Sequence, residues 1–130
     1  AGITRALYDK KISAIFSAHA VDLIVLVGYM RILSPEFVSA WRDKIINVHP
    51  SLLPDFAGKM DQQVHQAVLD AGLNETGCTV HIVTDDVDGG PILIQKKCVV
   101  LADDTVQTLK SRVQALEGAA LVAAIGKIKI

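Results

Sequence analysis

Two periods of apolar and polar positions alternate along the chain, and each change of period marks a boundary between predicted elements. Residues 4–18 place apolar side chains near the spacing of a helical turn, with charged residues between them, which predicts a helix. The run at 22–28 is instead almost continuously apolar and rich in branched side chains. Such a run is typical of a strand that is covered on both faces in a parallel sheet.

A short helix is predicted after this strand, because Ser34 and Pro35 form a typical helix start, a capping residue followed by proline. This helix ends near Asp43, and residues 44–48 form a second short strand. A strand, a helix and a strand within so few residues predict a right-handed crossover between parallel strands.

The second half of the chain predicts a further helix, a pair of strands and a long last helix. The helix covers 61–71, and strands follow at 79–83 and 92–95. These two strands are close in sequence, so we expect them to pair in the antiparallel direction. Thr105, preceded by Asp104, caps the last helix. The chain is therefore interpreted as one α/β domain.

The composition indicates a hydrophobic core and argues against several classes of partner. Hydrophobic residues make up 51% of the 130 and charged residues 21%, which favours a folded chain over a disordered one. With 13 basic and 14 acidic residues and no basic cluster, the chain offers no surface for nucleic acid. The longest apolar run, 23–27, is too short to span a membrane, and no signal-peptide pattern opens the chain. A cytoplasmic protein is expected.

The cysteines and the acidic pair at 85–86 are the residues to weigh as metal ligands. Cys78 and Cys98 are widely separated within apolar stretches, which favours buried free thiols over a metal knuckle or a disulfide framework. Asp85 and Asp86 lack the spacing of oxygen ligands around a cation. The sequence therefore predicts no metal site.

Asn47 and His49 are the leading candidates for chemistry. They lie where a predicted parallel strand ends, which is where open α/β sheets bind their ligands. Residues two apart in a strand face the same side, so both side chains can reach one group. The amide can polarise a carbonyl, and the imidazole can stabilise an oxyanion or move a proton near neutral pH.

Asp88 is the third candidate, in a turn that continues with Gly89, Gly90 and Pro91. Glycine lets the backbone approach a ligand closely. A carboxylate near His49 would raise the pKa of the imidazole and orient the ring. Aspartate is also common in turns for purely local reasons, and from the turn alone that explanation of Asp88 is the stronger one.

Several ordered segments together resemble the folate-dependent formyltransferases. The matching segments are Gly28-Tyr29-Met30-Arg31-Ile32-Leu33-Ser34-Pro35, Asn47-Val48-His49-Pro50-Ser51-Leu52-Leu53-Pro54, Gly77-Cys78-Thr79-Val80-His81, Asp88-Gly89-Gly90-Pro91 and Val113-Gln114-Ala115-Leu116-Glu117. The resemblance covers nearly the whole chain. It implies a formyltransferase domain over residues 1–130, with a Rossmann-like three-layer fold. The implied sheet is mostly parallel, with an antiparallel pair of strands at its C-terminal side.

The resemblance also implies a reaction, the transfer of a formyl group from 10-formyltetrahydrofolate to the amine of glycinamide ribonucleotide in purine biosynthesis. Asn47 and His49 would bind the formyl oxygen, with His49 stabilising the tetrahedral intermediate. Asp88 would hold His49 and help to move the proton. The amine is the nucleophile, so the implied partners are small molecules and no metal is needed.

The implied binding residues fall into two sets. The folate set is Arg5, Met30, Arg31, Ile32, Leu33, Asn47, Thr84, Asp85, Asp86, Val87 and Asp88. The ribonucleotide set is Pro50, Gln114 and Glu117. His81 would contact the catalytic side chains rather than the substrates. For two other histidines the residues alone favour simple explanations: His65 is expected to be solvated on its helix, and His19 to lie at a helix end.

The family begins with a strand and a Gly-rich, phosphate-binding loop, so the resemblance implies that this chain is N-terminally incomplete. Alternatives therefore remain open. One is another formyl-folate enzyme, of the methionyl-tRNA formyltransferase or formyltetrahydrofolate hydrolase type, against which Pro50 and the Gly89-Gly90-Pro91 turn both argue. Another is a catalytically impaired folate-binding fragment. A monomer and a homodimer are both compatible with the sequence.

Overall fold

The computed structural model describes residues 5–27, 33–60 and 62–128. Helices and strands follow one another in the order that the sequence predicts. They are α1 (Arg5–Ala18), β1 (Ile24–Leu26), α2 (Pro35–Ala40), β2 (Ile45–His49), α3 (Gln62–Asp70), β3 (Glu75–Ile82), β4 (Ile92–Val99) and α4 (Val106–Gly126). Compared with the predicted bounds, β1 is shorter and β3 and β4 are longer. β3 and β4 are longer because the two strands of a hairpin pair beyond their most apolar residues.

The capping residues begin α2 and α4 as predicted. Ser34 precedes α2 and accepts a hydrogen bond from the Phe37 backbone N–H, with Oγ to N at 3.2 Å. Thr105 precedes α4, and it forms a reciprocal capping box with Thr108. Each cap provides partners for backbone N–H groups that the first turn of a helix leaves without an acceptor.

The strands form a four-stranded sheet in the order β1-β2-β3-β4. β1 and β2 pair in parallel, and β3 and β4 form the predicted antiparallel pair. β2 and β3 also pair antiparallel, so the described sheet is mixed where a mostly parallel one was expected. A continuous apolar run predicts a strand that is buried on both faces, but it does not specify the direction of the neighbouring strands.

Helices cover both faces of this sheet and give it three layers. Ile45 and Ile46 are adjacent in β2 and fully buried, and they point to opposite faces. Ile45 packs with Phe37 and Trp41 of the α2 segment, and α1 packs against the same cluster. Ile46 packs with residues of α3 and α4, among them Val68. The three-layer arrangement implied by the resemblance is therefore present.

The two thiols are free, as predicted. Cys78 is buried in the core, and its burial raises the pKa of the thiol to about 11, so the thiol stays protonated at neutral pH. Cys98 is only half-buried.

Among the described helices, none is both long and apolar enough to cross a lipid bilayer.

Candidate active site

A cavity of about 800 Å³ opens beside the end of β2. Most of the residues that the sequence singled out line it. They are Leu33, Asn47, His49, Pro50, His81, Thr84, Asp85, Asp86, Val87, Asp88, Gln114 and Glu117. The cavity thus collects side chains from β2, β3, α4 and the loop between β3 and β4 into one place.

Four of the predicted residues are not among the described residues that line this cavity. Arg5 is the first residue of α1. Met30, Arg31 and Ile32 lie outside the described residues. The folate-binding roles expected for these four stay predictions.

Asp88 lies between two histidine rings. Its Oδ2 is 3.5 Å from Nδ1 of His49, and its Oδ1 is 3.6 Å from Nε2 of His81. Asn47 completes the group, with its Nδ2 at 3.3 Å from Nε2 of His81. The histidine side chains are 4% and 3% exposed and the aspartate 12%, so the carboxylate is more accessible to a ligand than the rings.

The backbone around Asp88 explains how the carboxylate reaches this position. Asp88 has a φ of +55°, in the left-handed region that aspartate enters more readily than most residues. The Gly58 backbone N–H donates a hydrogen bond of 2.7 Å to Asp88 Oδ2. At Gly90, a Cβ would collide with the Ile82 carbonyl oxygen, so the turn needs glycine there. Asp88 is therefore held by long-range contacts as well as by its turn.

Burial lowers the pKa of His49 below the ordinary 6.5. Asp88 opposes this shift, as does a backbone hydrogen bond with Phe56. The sequence-based expectation was right about the direction of the Asp88 contribution, but the desolvation of the ring outweighs it. His49 is consequently neutral at pH 7. Its Nε2 is buried and has no hydrogen-bond partner within residues 5–27, 33–60 and 62–128, so this nitrogen is available to a ligand.

His81 supports the group from the strand beside β2. The register pairs it with Asn47, and its Nδ1 lies 3.2 Å from its neighbour's carbonyl oxygen, that of Ile82. Val80, the preceding residue, points into the core on the other face. His81 therefore faces away from the core side of β3, toward Asn47 and Asp88.

The loop that follows His49 is held by hydrogen bonds, and through Gly58 it contacts Asp88. Thr79 Oγ1 accepts from the Leu53 backbone N–H at 3.0 Å and donates to the Ser51 carbonyl oxygen at 2.7 Å. Gln95 Nε2 donates to both Thr79 Oγ1 and the Leu53 carbonyl oxygen. These contacts from β3 and β4 position the loop.

Gly58, Lys59, His65 and Lys110 are among the lining residues that were not identified from the sequence. His65 was expected to be solvated, which is wrong, since it is 1% exposed. Its spacing to Val68 in α3 already placed it on the inward face of the helix. Lys110 lies four residues before Gln114 and shares its helix face, which is also readable from the sequence. Gly58 has no local signal, because its role depends on a contact with a residue 30 positions away.

The part of the chain that the structure describes contains no group of three or more His, Cys, Asp or Glu side chains arranged to hold a metal ion.

The fold is that of a known class of protein. The model of the formyl transferase family matches residues 3–125. The chain belongs to the formyl transferase family.

Similar proteins carry more specific names. The chain is 42% identical over 116 residues to phosphoribosylglycinamide formyltransferase from Escherichia coli (strain K12), covering 89% of this chain and 53% of that protein. It is 47% identical over 113 residues to the trifunctional purine biosynthetic protein adenosine-3 of Bos taurus, covering 87% of this chain and 11% of that protein. A crystal structure of phosphoribosylglycinamide formyltransferase from Brucella melitensis matches with a TM-score of 0.87 and 41% identity, over 97% of this chain and 63% of that one. The chain thus spans about half the length of the Escherichia coli relative.

Proposed function

We propose that this chain carries the reaction centre for transfer of a formyl group from 10-formyltetrahydrofolate to the amine of glycinamide ribonucleotide, in purine biosynthesis. The observation that carries the proposal is the convergence of Asn47, His49 and Asp88 in one cavity of a formyl transferase fold. The names of the similar proteins support the same acceptor. No observation favours a tRNA acceptor or water.

Asn47 and His49 are proposed to bind the formyl oxygen. The bound formyl folate supplies an electrophilic carbon, whose oxygen gains negative charge when the amine attacks. Asn47 Nδ2 is an amide donor at the cavity wall, and His49 Nε2 is a buried nitrogen without a partner among the described residues. Donors that are fixed in place before the reaction stabilise such charge without reorganising. The low exposure of His49 strengthens this electrostatic contribution.

Asp88 is proposed to receive the proton that the amine loses. Its carboxylate is more exposed than the two histidine rings, and it already contacts His49 and His81. A carboxylate 3.5 Å from Nδ1 also stabilises the imidazolium if His49 takes up a proton during the reaction. Asp88 thus accepts the proton from the attacking amine. When the tetrahedral intermediate collapses, the bond between the formyl carbon and N10 of the folate breaks, and tetrahydrofolate leaves after N10 has taken up a proton. The Gly58 N–H keeps the carboxylate oriented for both tasks.

The cavity is proposed to hold the two small substrates side by side. Its volume of about 800 Å³ lies within the usual range for ligand pockets. The segment from Thr84 to Asp88, together with Leu33, offers backbone and apolar surface to the flat ring of a folate. On the opposite side, Pro50, Gln114 and Glu117 are proposed to contact the ribonucleotide.

The proposal is tested by steady-state formyl transfer with glycinamide ribonucleotide as acceptor. We expect His49→Ala and Asp88→Asn each to lower kcat about 10²–10⁴-fold, the range for loss of a positioned acid, base or oxyanion donor. His19→Ala is the matched control, because His19 is exposed and its ring Nδ1 lies 2.9 Å from the Ile15 carbonyl oxygen of the adjoining helix. Full activity in His49→Ala contradicts the mechanism. Equally fast deformylation of the folate without any amine acceptor contradicts the transfer reaction.

A further inference from the structure

Helix α1 carries a buried carboxylate that contacts the wall of the active-site cavity from outside the cavity. Asp9 is 1% exposed, and its Oδ2 accepts a hydrogen bond of 2.6 Å from the Ser34 backbone N–H, 25 positions along the chain. Burying a carboxylate costs free energy unless polar partners replace its water. An apolar side chain would fill the same space at a lower cost. Packing alone therefore does not explain an aspartate at this position.

Ser34 is at once the residue that caps α2 and a lining residue of the cavity. Its Oγ accepts from the Phe37 N–H and its carbonyl oxygen from the Val38 N–H, so its acceptors serve the first turn of α2. Its own N–H lies before that turn and is bound by Asp9 instead. Asp9 thus holds the backbone at the point where the chain leaves the cavity wall and enters α2.

The hydrogen bond also fixes the peptide group between Leu33 and Ser34. A peptide group is planar, and in its trans form the N–H and the preceding carbonyl point in opposite directions. The Leu33–Ser34 peptide is trans, so the bond from Ser34 N–H to Asp9 directs the Leu33 carbonyl oxygen away from α1. Leu33 and Ser34 line the cavity, whereas Asp9 is not among its described lining residues. Asp9 therefore reaches a ligand only through this peptide.

We propose that Asp9 is a positioning residue for the formyl folate, which orients the Leu33–Ser34 peptide at the folate side of the cavity; this inference rests on the proposed function. Leu33 is among the residues proposed to face the folate ring. A peptide group that is already oriented before the ligand arrives binds it without paying for the loss of backbone freedom. Without the bond to Asp9, the folate has to order this peptide itself.

A second hydrogen bond between α1 and α2 provides an internal control. Trp41 Nε1 donates to Ser13 Oγ at 2.9 Å at the other end of α2, where Phe16 packs edge-on against the Trp41 ring. Asp9, Ser13 and Phe16 are four and three residues apart and therefore share one face of α1. Ser13 and Trp41 are not among the described residues that line the active-site cavity. Loss of the Ser13 bond thus weakens the same helix packing without touching the cavity wall.

The test compares ligand binding after the loss of each hydrogen bond. Dissociation constants for a formyl-folate analogue and for glycinamide ribonucleotide are measured by calorimetry. In Asp9→Ala we expect the folate constant to rise about 10-fold, within the contribution of a hydrogen bond to a carboxylate, and the ribonucleotide constant to stay unchanged. Asp9→Asn keeps an acceptor oxygen and should retain most of the folate affinity. Ser13→Ala, the matched control, should leave both constants unchanged.

A purely structural role of Asp9 gives a different result. Asp9→Ala would then unfold at a lower temperature but bind the analogue as tightly as the unsubstituted protein while folded, which overturns the inference; circular dichroism at the titration temperature verifies the fold. If Asp9→Ala does not fold, Asp9→Leu takes its place, because it fills the space without an acceptor, and the same rise is expected.

The remaining outcomes overturn the inference in distinct ways. An equal rise in Ser13→Ala, or in the ribonucleotide constant of Asp9→Ala, assigns the effect to the general packing of α1. Folate binding by Asp9→Asn that is as weak as in Asp9→Ala shows that the hydrogen bond is not the cause. In these cases the unsubstituted protein still binds the analogue and the proposed function stands. If the unsubstituted protein does not bind the analogue, the proposed function fails and this inference fails with it.

Discussion

Thr79→Val is the substitution whose cost the structure defines best. Thr79 is fully buried in β3, and valine has nearly its shape but no hydroxyl. The change removes the acceptor of the Leu53 N–H and the donor to the Ser51 carbonyl oxygen. Gln95 keeps a second partner, the Leu53 carbonyl oxygen, at 2.9 Å. The substitution therefore leaves two backbone groups of the catalytic loop without their Thr79 partner.

The expected loss of stability follows from these two groups. A buried polar group that loses its partner costs about 1–3 kcal/mol, so the pair costs about 2–6 kcal/mol. That loss is a large part of the roughly 5–15 kcal/mol by which proteins of this kind are stable. Thr79→Ser is the control, because it keeps the hydroxyl and loses only a methyl group, worth about 1 kcal/mol.

Equilibrium unfolding in urea measures the difference between the two variants. We expect Thr79→Val to unfold at a clearly lower urea concentration than Thr79→Ser, with a similar dependence on denaturant. Formyl transfer by the folded fraction should fall as well, since the same loop carries Gly58 to Asp88. If the valine variant is as stable as the serine variant, the hydrogen bonds of Thr79 do not hold this loop and our reasoning is refuted.

Two further predictions concern protonation and the turn at Asp88. Burial lowers the pKa of His49 in the folded chain below 6.5, so between the folded and unfolded pKa values the unfolded chain binds more protons, and stability should decrease as pH falls through 6.5. His49→Gln should flatten this pH dependence of the urea midpoint, measured across pH 5–8. An unchanged slope would argue against a neutral buried ring. Gly90→Ala should destabilise the chain and reduce activity because its Cβ collides with the Ile82 carbonyl oxygen, whereas Gly118→Ala in α4 meets nothing within 4 Å and should raise stability by about 1 kcal/mol. Thermal unfolding of both variants checks the pair, and equal effects of the same sign would contradict it.

The order of helices and strands was readable from the sequence, because the information for each element is local. Ser34 and Thr105 lie immediately before the helices they cap, and each needs partners only three residues away. The antiparallel pairing of β3 and β4 is similarly local, since a short loop joins them. Asn47 and His49 could be paired from the sequence for the same reason, as residues two apart share one side of a strand.

Only the tertiary structure decided how distant segments meet. The direction of β3 beside β2 depends on the path of the chain through the loop after His49 and then through α3. No run of apolar residues encodes this path. The lowered pKa of His49 results from burial by other elements, and it reverses the shift that the Asp88 charge alone would produce. The hydrogen bond from Gly58 to Asp88 joins residues 30 positions apart and likewise forms only on folding. The sequence therefore determined which side chains are available for chemistry, while packing determined the distances between them, their solvation and hence their charge.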